Sequence, residues 1–204
     1  MCDLDRYAHF CINCSSPCNY NQGCTTVSCI GDHITSLKLT NPGVSDLPDT
    51  FSNLRWLNTL VLKSKSSPRL QRLPDSMDSL RSLAFIELTG TQIQSFPTAV
   101  CNLDDLVNLV MDESSLTTVP ECFSWLTSLA KLTLTNGRLS SLPRGIGSLR
   151  SIQSLDLSNN KLTSLPDSFG QLYVRTLDIS NNNLKDLPHF MRLYNLQSID
   201  LSNN

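Results

Sequence analysis

Apolar and polar positions along this chain follow one compound pattern, clearest between residues 152 and 172. There Ile152, Leu155, Leu157, Leu162, Leu165, Phe169 and Leu172 are apolar in fixed spacing, with Asn160 and Pro166 at set places among them. The same spacing opens again at Ile34, Leu57, Leu83, Leu106, Leu129, Ile152, Val174 and Leu196. Most units span 23 residues; the unit from Leu57 to Leu83 spans 26 because residues 64–68 are inserted, and the units opening at Ile152 and Val174 are each one residue short. Within each unit, a stretch such as Leu155-Asp156-Leu157 alternates apolar and polar, which predicts a short strand with leucine on one face only.

A strand this short is unstable alone, so the repeats must stack. Eight strands about 4.8 Å apart make a parallel sheet whose leucine face is covered by the returning half of each unit. That half starts at an apolar-Pro pair: Leu47-Pro48, Leu73-Pro74, Phe96-Pro97, Val119-Pro120, Leu142-Pro143, Leu165-Pro166 and Leu187-Pro188. Proline fixes φ and holds its predecessor extended, so the chain turns there into a short helical or irregular segment. Phe51, Met77, Val100, Phe123, Ile146 and Phe169 are then placed to fill the core from the convex side. Asn160, Asn182 and Asn204 stand where a side-chain amide can satisfy backbone groups that no ladder reaches. Earlier units put Thr91, Ser114 and Gly137 in that slot, and a weaker ladder is expected there.

A period in the twenties with this leucine spacing is the signature of the leucine-rich repeat solenoid. The expected fold is an α/β solenoid, a right-handed horseshoe with a concave parallel β-sheet and short turns on the convex side. Seven full units and a truncated eighth occupy residues 34–204, behind a cysteine-rich segment at residues 1–33.

Cysteine usage divides the chain. Six of its eight cysteines, Cys2, Cys11, Cys14, Cys18, Cys24 and Cys29, precede the first repeat. A solenoid exposes leucines at its ends, and a disulfide-stapled cap covers them with little core of its own. Cys11-x-x-Cys14 also has zinc-ligand spacing, but no second pair or paired histidine completes a tetrahedral site. Disulfides are therefore preferred, and their connectivity is open. Cys101 and Cys122 stand in successive convex turns and are disulfide candidates as well. Their offset of two positions within the repeat favours two buried thiols over a bridge, because Cα atoms more than about 7 Å apart cannot be joined.

The run Cys24-Thr25-Thr26-Val27-Ser28-Cys29, leading into His33-Ile34-Thr35-Ser36-Leu37-Lys38-Leu39, resembles the N-terminal cap of extracellular leucine-rich repeat receptors and receptor kinases. That resemblance implies a secreted or extracellular domain that binds a protein, peptide or glycan, in proteins that often add a membrane span and a kinase. The L-P-x-x-F turn is shared with intracellular scaffolds, so a cytoplasmic location is the alternative. Cysteine density favours the oxidising side. No basic and apolar leader follows Met1, and the last unit stops at the asparagine slot; a longer protein is therefore expected.

Composition narrows the function. A net charge of -2 offers no field for nucleic acid or a membrane surface, and no apolar run is long enough to span a bilayer. His9, His33 and His189 are scattered, and Gly145-Ile146-Gly147 lacks the lysine of a phosphate loop, so no enzyme, metal or cofactor site is expected. Function is then expected on exposed strand positions. Val61, Phe85 and Val110 place apolar groups side by side on a face that should be polar, ringed by Lys38, Thr59, Lys63, Glu87, Asn108, Asp112, Lys131 and Thr133. Apolar groups ringed by charge are the usual anatomy of a protein or peptide site. The insertion, with Lys63, Lys65 and Arg72, is expected to add a basic rim.

Overall fold

The computed structural model describes residues 24–188 and 194–204. Among them nine strands form a single sheet in chain order. They are β1 Cys24–Ile30, β2 His33–Thr40, β3 Thr59–Lys63, β4 Phe85–Thr89, β5 Asn108–Asp112, β6 Lys131–Thr135, β7 Ser154–Asp156, β8 Thr176–Asp178 and β9 Ser198–Asp200. From β2 onward all pairings are parallel, and equivalent residues of successive repeats lie opposite one another without a slip. In β3 to β6 two buried apolar residues per strand, such as Leu60 and Leu62 in β3 or Leu109 and Met111 in β5, point to one side and make the core.

Among the described residues six short 3-10 turns return the chain along the convex side: Asp49–Asn53, Asp75–Ser79, Thr98–Asn102, Glu121–Trp125, Arg144–Ser148 and Asp167–Gln171. Each is entered from the proline of an apolar-Pro pair, whose fixed φ starts the turn. Phe51, Met77, Val100, Phe123, Ile146 and Phe169 are all buried beneath them. The turns also bind each other. The Glu121 carboxylate accepts the backbone N–H groups of Arg144 and Gly145 at 2.8 and 3.0 Å, so one turn caps the next. The disulfide between Cys101 and Cys122 adds a covalent link, with its Cα atoms 5.7 Å apart. The preference for two buried thiols is thereby corrected. A 3-10 segment rises only about 2 Å per residue, so an offset of two positions still leaves the pair within reach.

At the N-terminal end, β1 pairs antiparallel with β2 and continues the same sheet. Val27 and Cys29 pack against the core from this strand, and Cys29 is disulfide-bonded. Cys24 begins β1. Cys2, Cys11, Cys14 and Cys18, and with them the zinc alternative at Cys11-x-x-Cys14, lie outside the described residues, as does His189.

The asparagine slots are filled as a ladder. Asn160 Nδ2 donates to the carbonyls of Leu134, Leu157 and Ser158, and its Oδ1 accepts from Leu139 N–H. It therefore satisfies the loop of its own repeat and of the one before. Gly137 leaves the room: a Cβ there would come within 2.9 Å of Asn160 Oδ1. Asn182 and Asn204 repeat the arrangement. In the earlier unit the buried Thr91 hydroxyl has no hydrogen-bond partner among the described residues.

Candidate functional site

The strict register sorts the concave side chains into three files. The first runs Ser36, Thr59, Phe85, Asn108, Lys131, Ser154, Thr176, Ser198; the middle runs Lys38, Val61, Glu87, Val110, Thr133, Asp156, Asp178, Asp200; the third runs Thr40, Lys63, Thr89, Asp112, Thr135. All the residues singled out from the sequence thus share one face. Val61, Phe85 and Val110 are on adjacent strands but not in one row: Glu87 separates the two valines, and Phe85 sits in the neighbouring file. The reason is the pleat, since residues two apart on a strand belong to different files of the same face. Each of the three is half-buried, so their packing supports the sheet as well as facing outward.

Charges around them are largely committed. Lys63 Nζ lies 2.9 Å from Glu87 Oε1 across β3 and β4. Asp112 Oδ1 accepts from Thr135 Oγ1 and Asn136 Nδ2, both at 2.8 Å. The expected basic rim is corrected in the same way. Lys65 Nζ lies 2.8 Å from Glu113 Oε1, and Arg72 Nε lies 2.8 Å from Asp46 Oδ1. Asn41 Oδ1 accepts Lys65 and Ser66 N–H, so the insertion lies down along the edge of the sheet as a set of ion pairs and caps. Asp46 has its carboxyl held below its ordinary range, first by the Ser45 hydroxyl and then by Arg72. Glu113 raises Lys65 correspondingly. Asn108 and Thr133 are half-buried and Lys131 is exposed in the same patch; Lys38 is exposed at its N-terminal end.

In the last three repeats the acids are structural. Asp156 Oδ1 accepts Ser158 N–H and Oγ–H, Asp178 does the same with Ser180, and Asp200 accepts Ser202 N–H. Bonding to the Ser202 backbone, then to its hydroxyl, lowers the Asp200 carboxyl. Among the described residues no cluster of His, Cys, Asp and Glu could hold a metal ion, and no helix is long and apolar enough to cross a membrane. His33 stacks on Trp56 with centroids 4.8 Å apart.

One feature escapes a reading of the strand positions alone. Where the chain enters β7, β8 and β9, a groove is lined by Arg150, Gln153, Tyr173, Arg175, Tyr194 and Gln197 over Ile152 and Leu196. Arg150 Cζ lies 6.0 Å over the Tyr173 ring. The residue before the first apolar position is Ser82, Asp105, Ser128 and Ser151 in the third to sixth units and Tyr173 in the seventh, whereas the first two units carry His33 and Trp56 there.

Comparison with known proteins agrees with this architecture. The sequence profile of the family described as Leucine rich repeat matches residues 127–184. No curated protein sequence matches the chain. Among solved structures it is similar to a leucine-rich repeat protein of Leptospira interrogans, with a TM-score of 0.62 and 29% identity, covering 74% of this chain and 44% of that one. It is also similar to the ectodomain of the plant membrane receptor kinase GASSHO1/SCHENGEN3 from Arabidopsis thaliana in complex with CASPARIAN STRIP INTEGRITY FACTOR 2. That likeness has a TM-score of 0.67 and 26% identity, over 88% of this chain and 23% of the ectodomain. Internalin C2 of Listeria monocytogenes, at 21% identity and a TM-score of 0.59 over 83% of this chain and 81% of that one, shows the fold alone. The chain spans less than half the length of the first two. Eight parallel strands in register, the matched profile and these likenesses together show that the chain has the leucine-rich repeat solenoid fold.

Proposed function

We propose that this chain is a non-enzymatic extracellular recognition module, binding a protein or peptide on the concave face of β2 to β6. The observation that carries the reading is the half-buried trio Val61, Phe85 and Val110 on three adjacent strands. The half of each side chain that the sheet does not cover is apolar surface on an otherwise polar face, and a ligand can complete its burial. Lys38, Thr59, Asn108, Lys131 and Thr133 border the trio, with the Lys63–Glu87 pair and Asp112 at its edge.

Support for an extracellular setting comes from the Cys101–Cys122 bridge and the disulfide-bonded Cys29, because such bonds persist in oxidising compartments. The plant neighbour is a receptor ectodomain in complex with CASPARIAN STRIP INTEGRITY FACTOR 2, which makes the arm of a receptor kinase a specific form of the same reading. An intracellular scaffold is the competing form. Thiol titration of the denatured native-source protein separates them, since eight free thiols would place it in the cytosol.

The site itself is tested with a phage-displayed random peptide library selected on the immobilised protein. Phe85→Ala should weaken the selected binders by about 2 kcal/mol, roughly thirtyfold, as expected for an interface aromatic. Val110→Thr keeps shape without adding a carboxylate beside Glu87, and should weaken them less. Undiminished affinity in both variants would remove the concave-face site.

A further inference from the structure

We infer that the groove at the entry to β7, β8 and β9 is a second binding site, for an extended acidic peptide segment. It stands apart from the Val61, Phe85 and Val110 patch, and its argument does not depend on that patch. Two arginines, Arg150 and Arg175, reach it, and among the described residues neither has a carboxylate partner. Among the described residues no Asp or Glu lines the groove. In a chain of net charge -2 this is a local positive depression.

Guanidinium groups favour carboxylates because two parallel N–H donors match two acceptor oxygens. The aromatic part of the lining is open as well: Tyr173 is 49% and Tyr194 79% exposed. Rings left so far in solvent at a depression, one of them already under a guanidinium at 6.0 Å, are groups that lose water favourably when a ligand chain lies on them. Gln153 and Gln197 stand on alternate repeats of the same row, and their amides both donate and accept, as peptide bonds require. The carbonyls of Ala130, Gln153 and Arg175 are each taken up by two backbone N–H groups, so the row offers side chains rather than backbone.

The neighbouring file sets the boundary of the site. Asp156, Asp178 and Asp200 begin three residues further along their strands, about 10 Å away at the rise of a strand. An acidic segment is therefore repelled from the concave centre of these repeats and attracted to their flank. Like charge on one side and unpaired arginines on the other give an acidic ligand a defined track.

The test measures fluorescence anisotropy of a labelled Gly-Ser-Glu repeat peptide, its Gly-Ser-Gln counterpart and an oligogalacturonate of equal charge, with the intact protein. The glutamate peptide should bind at least about tenfold more tightly than the glutamine peptide at low ionic strength, and lose most of that preference at about 0.3 M salt. Arg150→Gln with Arg175→Gln should abolish the preference, and Tyr194→Ala, at a mostly exposed position, should weaken glutamate-peptide binding about fivefold. Phe85→Ala should leave it unchanged, which keeps this site distinguishable from the concave one. Equal binding of the two peptides, undiminished binding by the double variant, or tighter binding of oligogalacturonate than of peptide each overturns the proposal.

Discussion

At the scale of single residues, the later repeats are held by amides that the earlier ones lack. Asn160 makes four hydrogen bonds from one buried side chain, so Asn160→Ala strands the Leu139 N–H and takes a donor from three carbonyls, of which Leu157 keeps Asn182 Nδ2 and Ser158 keeps Asn136 N–H. A loss of about 2–3 kcal/mol is expected in urea unfolding monitored by circular dichroism. Thr91 is the converse case. Its hydroxyl is buried without a partner among the described residues, and Thr91→Val should leave stability unchanged or raise it by about 1 kcal/mol in the same assay. A second residue-scale strain sits at Glu113, whose φ of +53° falls in the left-handed region that its counterparts fill with Asn41, Gly90, Asn136, Asn159, Asn181 and Asn203. The Lys65 ion pair explains why a glutamate stands there: it ties the insertion to the next two repeats.

At the scale of elements, each strand and each turn is stabilised by its neighbours more than by itself. The turns are too short for helical cooperativity and are anchored by buried side chains, Phe51, Met77 or Phe123 alone in three of them and Ala99, Val100 and Cys101 together in another. Packing between them is tight. A Cβ on Gly147 would overlap the Ser168 carbonyl of the following turn, so any larger residue at that position pushes two repeats apart. The Cys101–Cys122 bridge clamps two of these turns over a separation of 21 residues. On loop entropy it contributes about 3 kcal/mol, and replacing both cysteines by alanine should lower stability by that amount without altering the far-ultraviolet spectrum. Peptide mapping without reduction should recover Cys101 and Cys122 in one linked fragment.

At the scale of the whole molecule, part of the charge is held as local pairs, among them Arg72–Asp46 and Lys65–Glu113. Asp46 is lowered in the folded state by Ser45 and Arg72, so it contributes stability above its unfolded value and loses it as pH falls through the folded one. Asp200 behaves alike through Ser202. Lys65 and Arg72 are raised, so their contributions are complete at neutral pH and fade only in strong base. The melting midpoint is therefore expected to be level through neutral pH and to fall below about pH 4. Asp46→Asn should narrow the difference in midpoint between pH 7 and pH 3, read by thermal melts at low salt; an unchanged difference would show that the pair is solvent-screened to nothing.

The repeat period, the strands and their inward leucines, the proline-started turns and the asparagine slots all follow from the one-dimensional pattern. Each depends on contacts between a residue and its counterpart one repeat away, so the period alone determines them. The uniform acids at Asp156, Asp178 and Asp200 were legible for the same reason. What lies between non-equivalent positions needed the tertiary structure. Cys101 and Cys122 meet despite their offset because two compact turns stack closely. Lys63, Lys65 and Arg72 lose their apparent excess charge to Glu87, Glu113 and Asp46, residues from 24 to 48 positions away. The Arg150, Tyr173, Arg175 and Tyr194 groove arises only when three repeats bring their entry segments together. Periodic neighbours can be read along the chain, whereas partners set by the path of an insertion or the curvature of a stack exist only in three dimensions.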